Sequence, residues 1–188
     1  MSADVAAVVL AAGASTRLGR PKQLLELEGE TLVRRAARVA LEAGCHPVVV
    51  VEGAVPLADA LAGLAVERVQ CVDWARGPGA SLKAGLAQVR GRSVLVLLVD
   101  QPRVDVEDLR RLISAPGGVA AAEYDGVLGV PARFPGPVLD ALERLPDERG
   151  AGPWLRAHAD QVTPVPMPSA AEDIDTPDDA AALAAPGR

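Results

Sequence analysis

A chain of 188 residues fits one domain of ordinary size, and with hydrophobic residues at 49% but aromatics at only 2% its core must be aliphatic. The formal net charge of −6 excludes a general nucleic-acid binder, which needs a basic face, while leaving room for a local basic pocket around one small anion. Cys45 and Cys71 are the only cysteines and lack Cys-x-x-Cys spacing, which indicates neither a disulfide framework nor a zinc site and suits a reducing compartment.

Val5 to Ala11 is continuously apolar, as in a strand buried on both faces of a parallel sheet. No basic-then-apolar leader precedes it and no apolar run reaches the ~20 residues of a membrane span, so the expectation is a cytoplasmic protein with no membrane partner. The loop after this strand carries the chemistry. Gly13, Ala14, Ser15 and Thr16 have little bulk, so successive main-chain N–H groups can converge on an anion. Arg17, Arg20 and Lys22 then place three positive charges within six positions. A polyphosphate is the natural ligand, with the planar Arg17 fork on phosphate oxygens and Lys22 as a point charge tracking one phosphoryl group. The bland alternative is a strand-to-helix turn with solvated cations. The spacing is neither that of a P-loop nor the dinucleotide Gly-x-Gly-x-x-Gly.

Further along, Leu24 to Leu27 reads as a short strand or turn, and a helix starts at Thr31 and stops at Gly44. Val48 to Val51 is a second buried strand, completing a β-α-β unit. Pro56 to Leu64 reads as a short helix, Val66 to Val72 as a third strand, and Ala80 to Val89 as a helix near whose start Ser81 is either a ligand or a cap. Ser93 to Val99 is the most apolar strand and delivers Asp100-Gln-Pro102 to the sheet edge where open α/β folds bind ligands. There Asp100 can hold a magnesium ion shared with phosphate, or simply initiate a turn. Asp105 caps a helix through Ile113, Val119 to Val130 reads as a hairpin around Asp125-Gly126, and Pro137 to Leu145 as another helix. The stretch Glu172 to Asp179 holds five carboxylates in eight residues, with Thr176 as cap and Pro177 as the first helical residue. The Ala-rich end from residue 180 is expected to fray.

Leu10-Ala-Ala-Gly-Ala-Ser-Thr-Arg-Leu-Gly-Arg-Pro-Lys22 resembles the signature of nucleotidyltransferases with a GT-A-like Rossmann fold, above all the molybdenum cofactor cytidylyltransferases and guanylyltransferases. Gly79-Ala-Ser-Leu-Lys-Ala-Gly-Leu86, Asp100-Gln-Pro102 and Asp173-Ile-Asp-Thr-Pro-Asp-Asp179 are similar to later pieces of the same pattern. The resemblance implies one nucleotidyltransferase domain over residues 1–188, a three-layer α/β/α fold with a mostly parallel sheet and a short antiparallel hairpin. It assigns nucleotide binding to Leu10, Ala11, Ala12, Gly13, Ala14, Ser15, Thr16, Arg17, Lys22, Gly79 and Ser81, catalysis to Lys22, Arg17 and Asp100, and Mg2+ to Asp100 and Asp175. It implies transfer of CMP from CTP to molybdopterin-type cofactor with loss of pyrophosphate, and a molybdoenzyme or insertion chaperone downstream. CTP is favoured over GTP because the chain reads Leu10-Ala-Ala-Gly13 and Asp100-Gln-Pro102. Two departures stand out: Asp73 where relatives place Asn, and Gly152 where the segment resembling Gly-Asp-x-Gly-Ala-Arg-x-Leu-Leu should carry Arg. Alternatives are GTP as donor, a sugar phosphate as acceptor, or a non-catalytic nucleotide-binding module; an NAD-type oxidoreductase fails for lack of the glycine spacing.

Overall fold

The computed structural model describes residues 4–184. In chain order its elements are β1 (Val5–Leu10), β2 (Glu26–Leu27), β3 (Glu30–Thr31), α1 (Leu32–Glu42), β4 (Val48–Glu52), β5 (Glu67–Gln70), α2 (Pro78–Leu86), β6 (Ser93–Leu98), α3 (Val106–Ser114), β7 (Val119–Tyr124), β8 (Val127–Phe134), α4 (Gly136–Glu143), α5 (Ala151–Ala157), β9 (Val162–Pro166) and α6 (Pro177–Ala184).

Side chains alternate faces along a strand, and β1 is apolar on both. Val5, Ala7 and Val9 enter one core with Val33 and Ala37 of α1, Leu109 and Leu112 of α3 and Leu183 of α6. Ala6 and Val8 enter the other with Leu82 and Leu86 of α2, Leu142 of α4 and Leu155 of α5. One sheet therefore lies between two helical layers, the three-layer arrangement expected from the sequence.

The main sheet has seven strands in the order β5-β4-β1-β6-β8-β7-β9, and β2 and β3 form a separate antiparallel ribbon. β1 is parallel to β4 and to β6, with Leu10 level with Val51 and Leu98. Only β8 runs against its neighbours, antiparallel to β6 and β7. From β1 the chain moves outward through β4 to β5 and then returns to the other side of β1 as β6. That reversal opens a crevice at the carboxyl ends of β1 and β6, where open α/β sheets bind ligands.

Several expectations are revised. Residues 56–64 wind through turns rather than a helix, with Gly63 at a left-handed φ of 81° and the Arg34 guanidinium on the Ala60 and Ala62 carbonyls at 3.1 and 2.8 Å. The hairpin forms on left-handed Asp125 and Gly126, at φ 52° and 73°. Its second strand runs on to Phe134, however, and both strands belong to the main sheet. β9 is hidden from sequence reading by Pro164 and Pro166, which its place at the sheet edge tolerates. At the C-terminal end α6 runs to Ala184 with Ala180 and Leu183 buried; residues 185–188 lie outside the described residues. Both cysteines are buried and unbridged, and burial pushes the Cys45 thiol up to about 12, so it packs rather than reacts.

Candidate active site

The crevice is a cleft of ≈ 540 Å³ lined by the loop from Ala11 to Arg17, Lys22, Gln23, residues at the start of α2, and Leu98, Val99 and Asp100. The loop keeps its shape through its carbonyls. Ala12 O accepts from the Ala54 N–H at 2.9 Å, while the Ala11 and Gly13 carbonyls accept from Gln23 Nε2 at 2.8 and 2.6 Å. Gly53 permits this closeness, since a Cβ there would lie 2.7 Å from Ala12 O. Ser15 then takes a left-handed φ of 55°; its carbonyl accepts from the N–H groups of Leu18 and Gly19, and its Oγ from that of Lys22. Among the described residues no protein acceptor takes the main-chain N–H groups from Ala12 to Arg17. Main-chain donors without partners are available to an anion.

Lys22 sits where the loop meets the acids. Its ammonium donates to Asp100 Oδ2 at 2.5 Å and to Asp175 Oδ1 at 3.1 Å, and Arg17 Nη2 lies 3.4 Å from Asp175 Oδ2. The Ile174 N–H donates to Asp100 O at 3.1 Å, which fastens the C-terminal acidic segment to the end of β6. Burial pulls the Lys22 pKa down, but the charge and hydrogen bond of Asp100, and then those of Asp175, outweigh it and leave it above its ordinary value. Lys22 therefore stays cationic. Asp173, though its surface is open, is pushed up to about 6, first by burial and then by the negative charges of Asp100 and Asp175.

Asp100 Oδ1 is buried and receives no hydrogen bond, which leaves a hard oxygen ligand facing no donor. The described residues hold no group of three or more His, Cys, Asp or Glu able to grip a metal alone. Two carboxylates, one with an unclaimed oxygen, are a donor set that would suit a divalent cation only with further oxygen ligands from outside the protein.

Residues 10–17, Lys22, Ser81 and Asp100 line the cleft together. Asp175 faces an adjoining hollow of ≈ 190 Å³ with Gly13, Arg17 and Lys22. Gly79 is placed elsewhere: it packs on the segment from Pro146 to Arg149, where a Cβ would lie 2.4 Å from Pro146 O, and its N–H donates to Asp147 O. Asp147 is held by Lys83 at 2.6 Å and Arg76 at 2.8 Å, so it fastens the start of α2. At Gly152, where the family pattern carries Arg, the guanidinium of Arg156 from the next turn fills the space, 3.1 Å from where a Cβ would stand. Gln23, Trp74 and Ala75 line the cleft without having been singled out from the sequence. A glutamine between a lysine and two leucines was the one available hint.

A Rossmann-like sheet with a small-residue loop and an acid at its switch point defines a nucleotidyltransferase-type fold. The chain belongs to the MobA-like NTP transferase domain family, whose profile matches residues 7–162. It is 44% identical over 129 residues to nicotine blue oxidoreductase of Paenarthrobacter nicotinovorans, covering 65% of this chain and 63% of that protein. It is 38% identical over 153 residues to a probable molybdenum cofactor guanylyltransferase of Opitutus terrae, covering 77% of this chain and 74% of the relative. Its structure is similar to that of Rv0371c from Mycobacterium tuberculosis H37Rv, with TM-score 0.79, 32% identity, and coverage of 97% and 98% of the two chains. That protein has also been crystallised as a complex with manganese.

Proposed function

We propose that this protein transfers a nucleotidyl group from a nucleoside triphosphate to the phosphate of a molybdopterin-type acceptor, with release of pyrophosphate. The observation that carries this reading is the Lys22 ammonium lodged between Asp100 and Asp175 at the mouth of a loop with unclaimed N–H groups. The loop N–H groups bind the triphosphate. Lys22 and Arg17, which both reach Asp175, also take phosphate oxygens of the bound nucleotide. Lys22 then stabilises charge on the α-phosphoryl group as the acceptor phosphate attacks in line, and Arg17 neutralises the departing pyrophosphate. Asp100 and Asp175 would hold Mg2+, which supplies Lewis-acid neutralisation of phosphate charge when bound. No protein nucleophile is needed.

For the donor, Ala12 in Leu10-Ala-Ala-Gly13 and Gln101 after Asp100 favour CTP by resemblance, whereas the Opitutus terrae relative is named for guanylyl transfer. Incubation with each of the four NTPs, Mg2+ and molybdopterin or its molybdenum form, with pyrophosphate as readout, tests donor and acceptor together. A second reading, a redox enzyme that uses the same cleft, is favoured by the identity to nicotine blue oxidoreductase, although the loop lacks the glycine spacing of a dinucleotide site. Redox conversion of nicotine blue by the protein with an added electron donor, and no pyrophosphate with any NTP, would select it.

A further inference from the structure

We infer that Gln23 is a positioning residue for polyphosphate: its amide holds the Ala11 and Gly13 carbonyls and so sets the direction of the N–H groups of Ala12 and Ala14 for the ligand. This rests on the reading of the cleft as a triphosphate site and adds to it a residue that the signature of small and basic residues does not mark.

The argument is one of peptide geometry. A carbonyl and the next residue's N–H point in opposite directions from their shared peptide plane. Fixing the carbonyl of one residue therefore fixes the direction of the following N–H. The carbonyls of Ala11 and Gly13 are both taken by Gln23 Nε2, at 2.8 and 2.6 Å. The carbonyl between them, on Ala12, is taken by the Ala54 N–H at 2.9 Å. Each carbonyl from Ala11 to Gly13 is thereby fixed by the protein, and the N–H groups of Ala12, Gly13 and Ala14 are left with no protein acceptor among the described residues. Gln23 is 1% exposed and lines the same cleft. Both of its partners are carbonyls, so the nitrogen must face them, and Oε1 is left buried without a donor. A buried amide that leaves its own oxygen unsatisfied while spending both hydrogens on one loop pays for the conformation of that loop.

No other side chain of this length delivers two hydrogens from one atom without charge. Glutamate in its place would set a carboxylate against two carbonyl oxygens when ionised, and could return one hydrogen when protonated. Burial raises the pKa of such a group, bringing its titration into an accessible range.

The test measures binding of CTP and of inorganic pyrophosphate by calorimetry, without metal, to wild type, Gln23→Glu and Gln23→Met. Met keeps length and volume but has no donor. Wild type is expected to bind both anions. Gln23→Met should bind at least ~10-fold more weakly at every pH, because two loop carbonyls lose their donor. Gln23→Glu should be weaker still at about pH 8.5 and recover relative to wild type towards about pH 6, a pH dependence of the variant-to-wild-type ratio that Gln23→Met lacks. If Gln23→Glu does not fold, Gln23→Met decides alone. Wild-type affinity in Gln23→Met, or a Gln23→Glu ratio flat with pH, would overturn the inference. Failure of wild type to bind either anion would overturn the triphosphate reading instead.

Discussion

Lys22 and Asp100, 78 positions apart in the chain, meet through a contact of 2.5 Å between Nζ and Oδ2, and the same ammonium reaches Asp175 at 3.1 Å. One cation thus joins the loop after β1, the end of β6 and the segment before α6. Lys22 and Asp100 side chains are only 18% and 14% exposed, so their attraction is less screened than that of a surface pair. In the proposed reaction, charge placed in this way would act on developing phosphate charge without reorganising at the moment of transfer.

Lys22→Ala should retain the fold, as judged by circular dichroism, and lose ~10²–10³ in kcat for pyrophosphate release, the effect of removing one preorganised donor. Turnover within threefold of wild type would show that Lys22 serves only to balance Asp100 and Asp175.

Asp100→Asn and Asp175→Asn should each raise the Mg2+ concentration needed for half-maximal turnover. The double variant should lose much less than the product of the two single effects, because both carboxylates share Lys22 and the proposed ion. Magnesium titrations of the three variants check this; full multiplicative loss would separate the two acids.

In direct competition for pyrophosphate release, CTP should be used in preference to GTP, as Ala12 and Gln101 suggest. Equal or better use of GTP at matched concentration would assign the chain to guanylyl transfer.

Arg133 of β8 is buried and, among the described residues, meets no carboxylate: its guanidinium donates to the carbonyls of Ile113, Ala115, Gly117 and Gly118 at 2.9 to 3.1 Å, closing the end of α3. Burial pulls its pKa below the ordinary value. Arg133→Leu should cost at least ~2 kcal/mol in urea unfolding, since several carbonyls lose their donor at once. Nucleotide affinity should be unchanged. A stability within ~0.5 kcal/mol of wild type would mean that water replaces the guanidinium.

Glu30 accepts from Arg38 at 2.9 and 2.8 Å, and those hydrogen bonds hold its pKa below the ordinary 4.5. A depressed carboxylate pKa contributes stability that is complete above the unfolded value and disappears as pH falls through the folded one. Wild type should therefore melt above Glu30→Gln at about pH 7, and the difference should shrink as pH falls below the ordinary 4.5. A constant difference across that range would assign the effect to packing.

The sequence by itself determined the sheet-forming strands of the first hundred residues, because Val5 to Leu10, Val48 to Val51 and Ser93 to Leu98 are apolar on both faces and only a doubly covered sheet accommodates that. It also marked the loop, Lys22 and Asp100, because small residues followed by cations, and an acid after a strand, are local patterns; Asp175 came from the resemblance of residues 173–179 to a family motif. Tertiary structure decided the rest. Residues 56–64, read as a helix from the sequence, form turns that the guanidinium of Arg34 from α1 ties down at the Ala60 and Ala62 carbonyls. β9 exists because the sheet edge tolerates two prolines that local propensity would forbid. Gly79 belongs to a motif resembling a nucleotide contact, yet it packs on the Pro146–Arg149 segment, whose approach no local spacing encodes. Gln23 shows the same limit from the other side: its neighbours in the chain say nothing of Ala11 O and Gly13 O, and only the folded loop gives its two hydrogens a place to go.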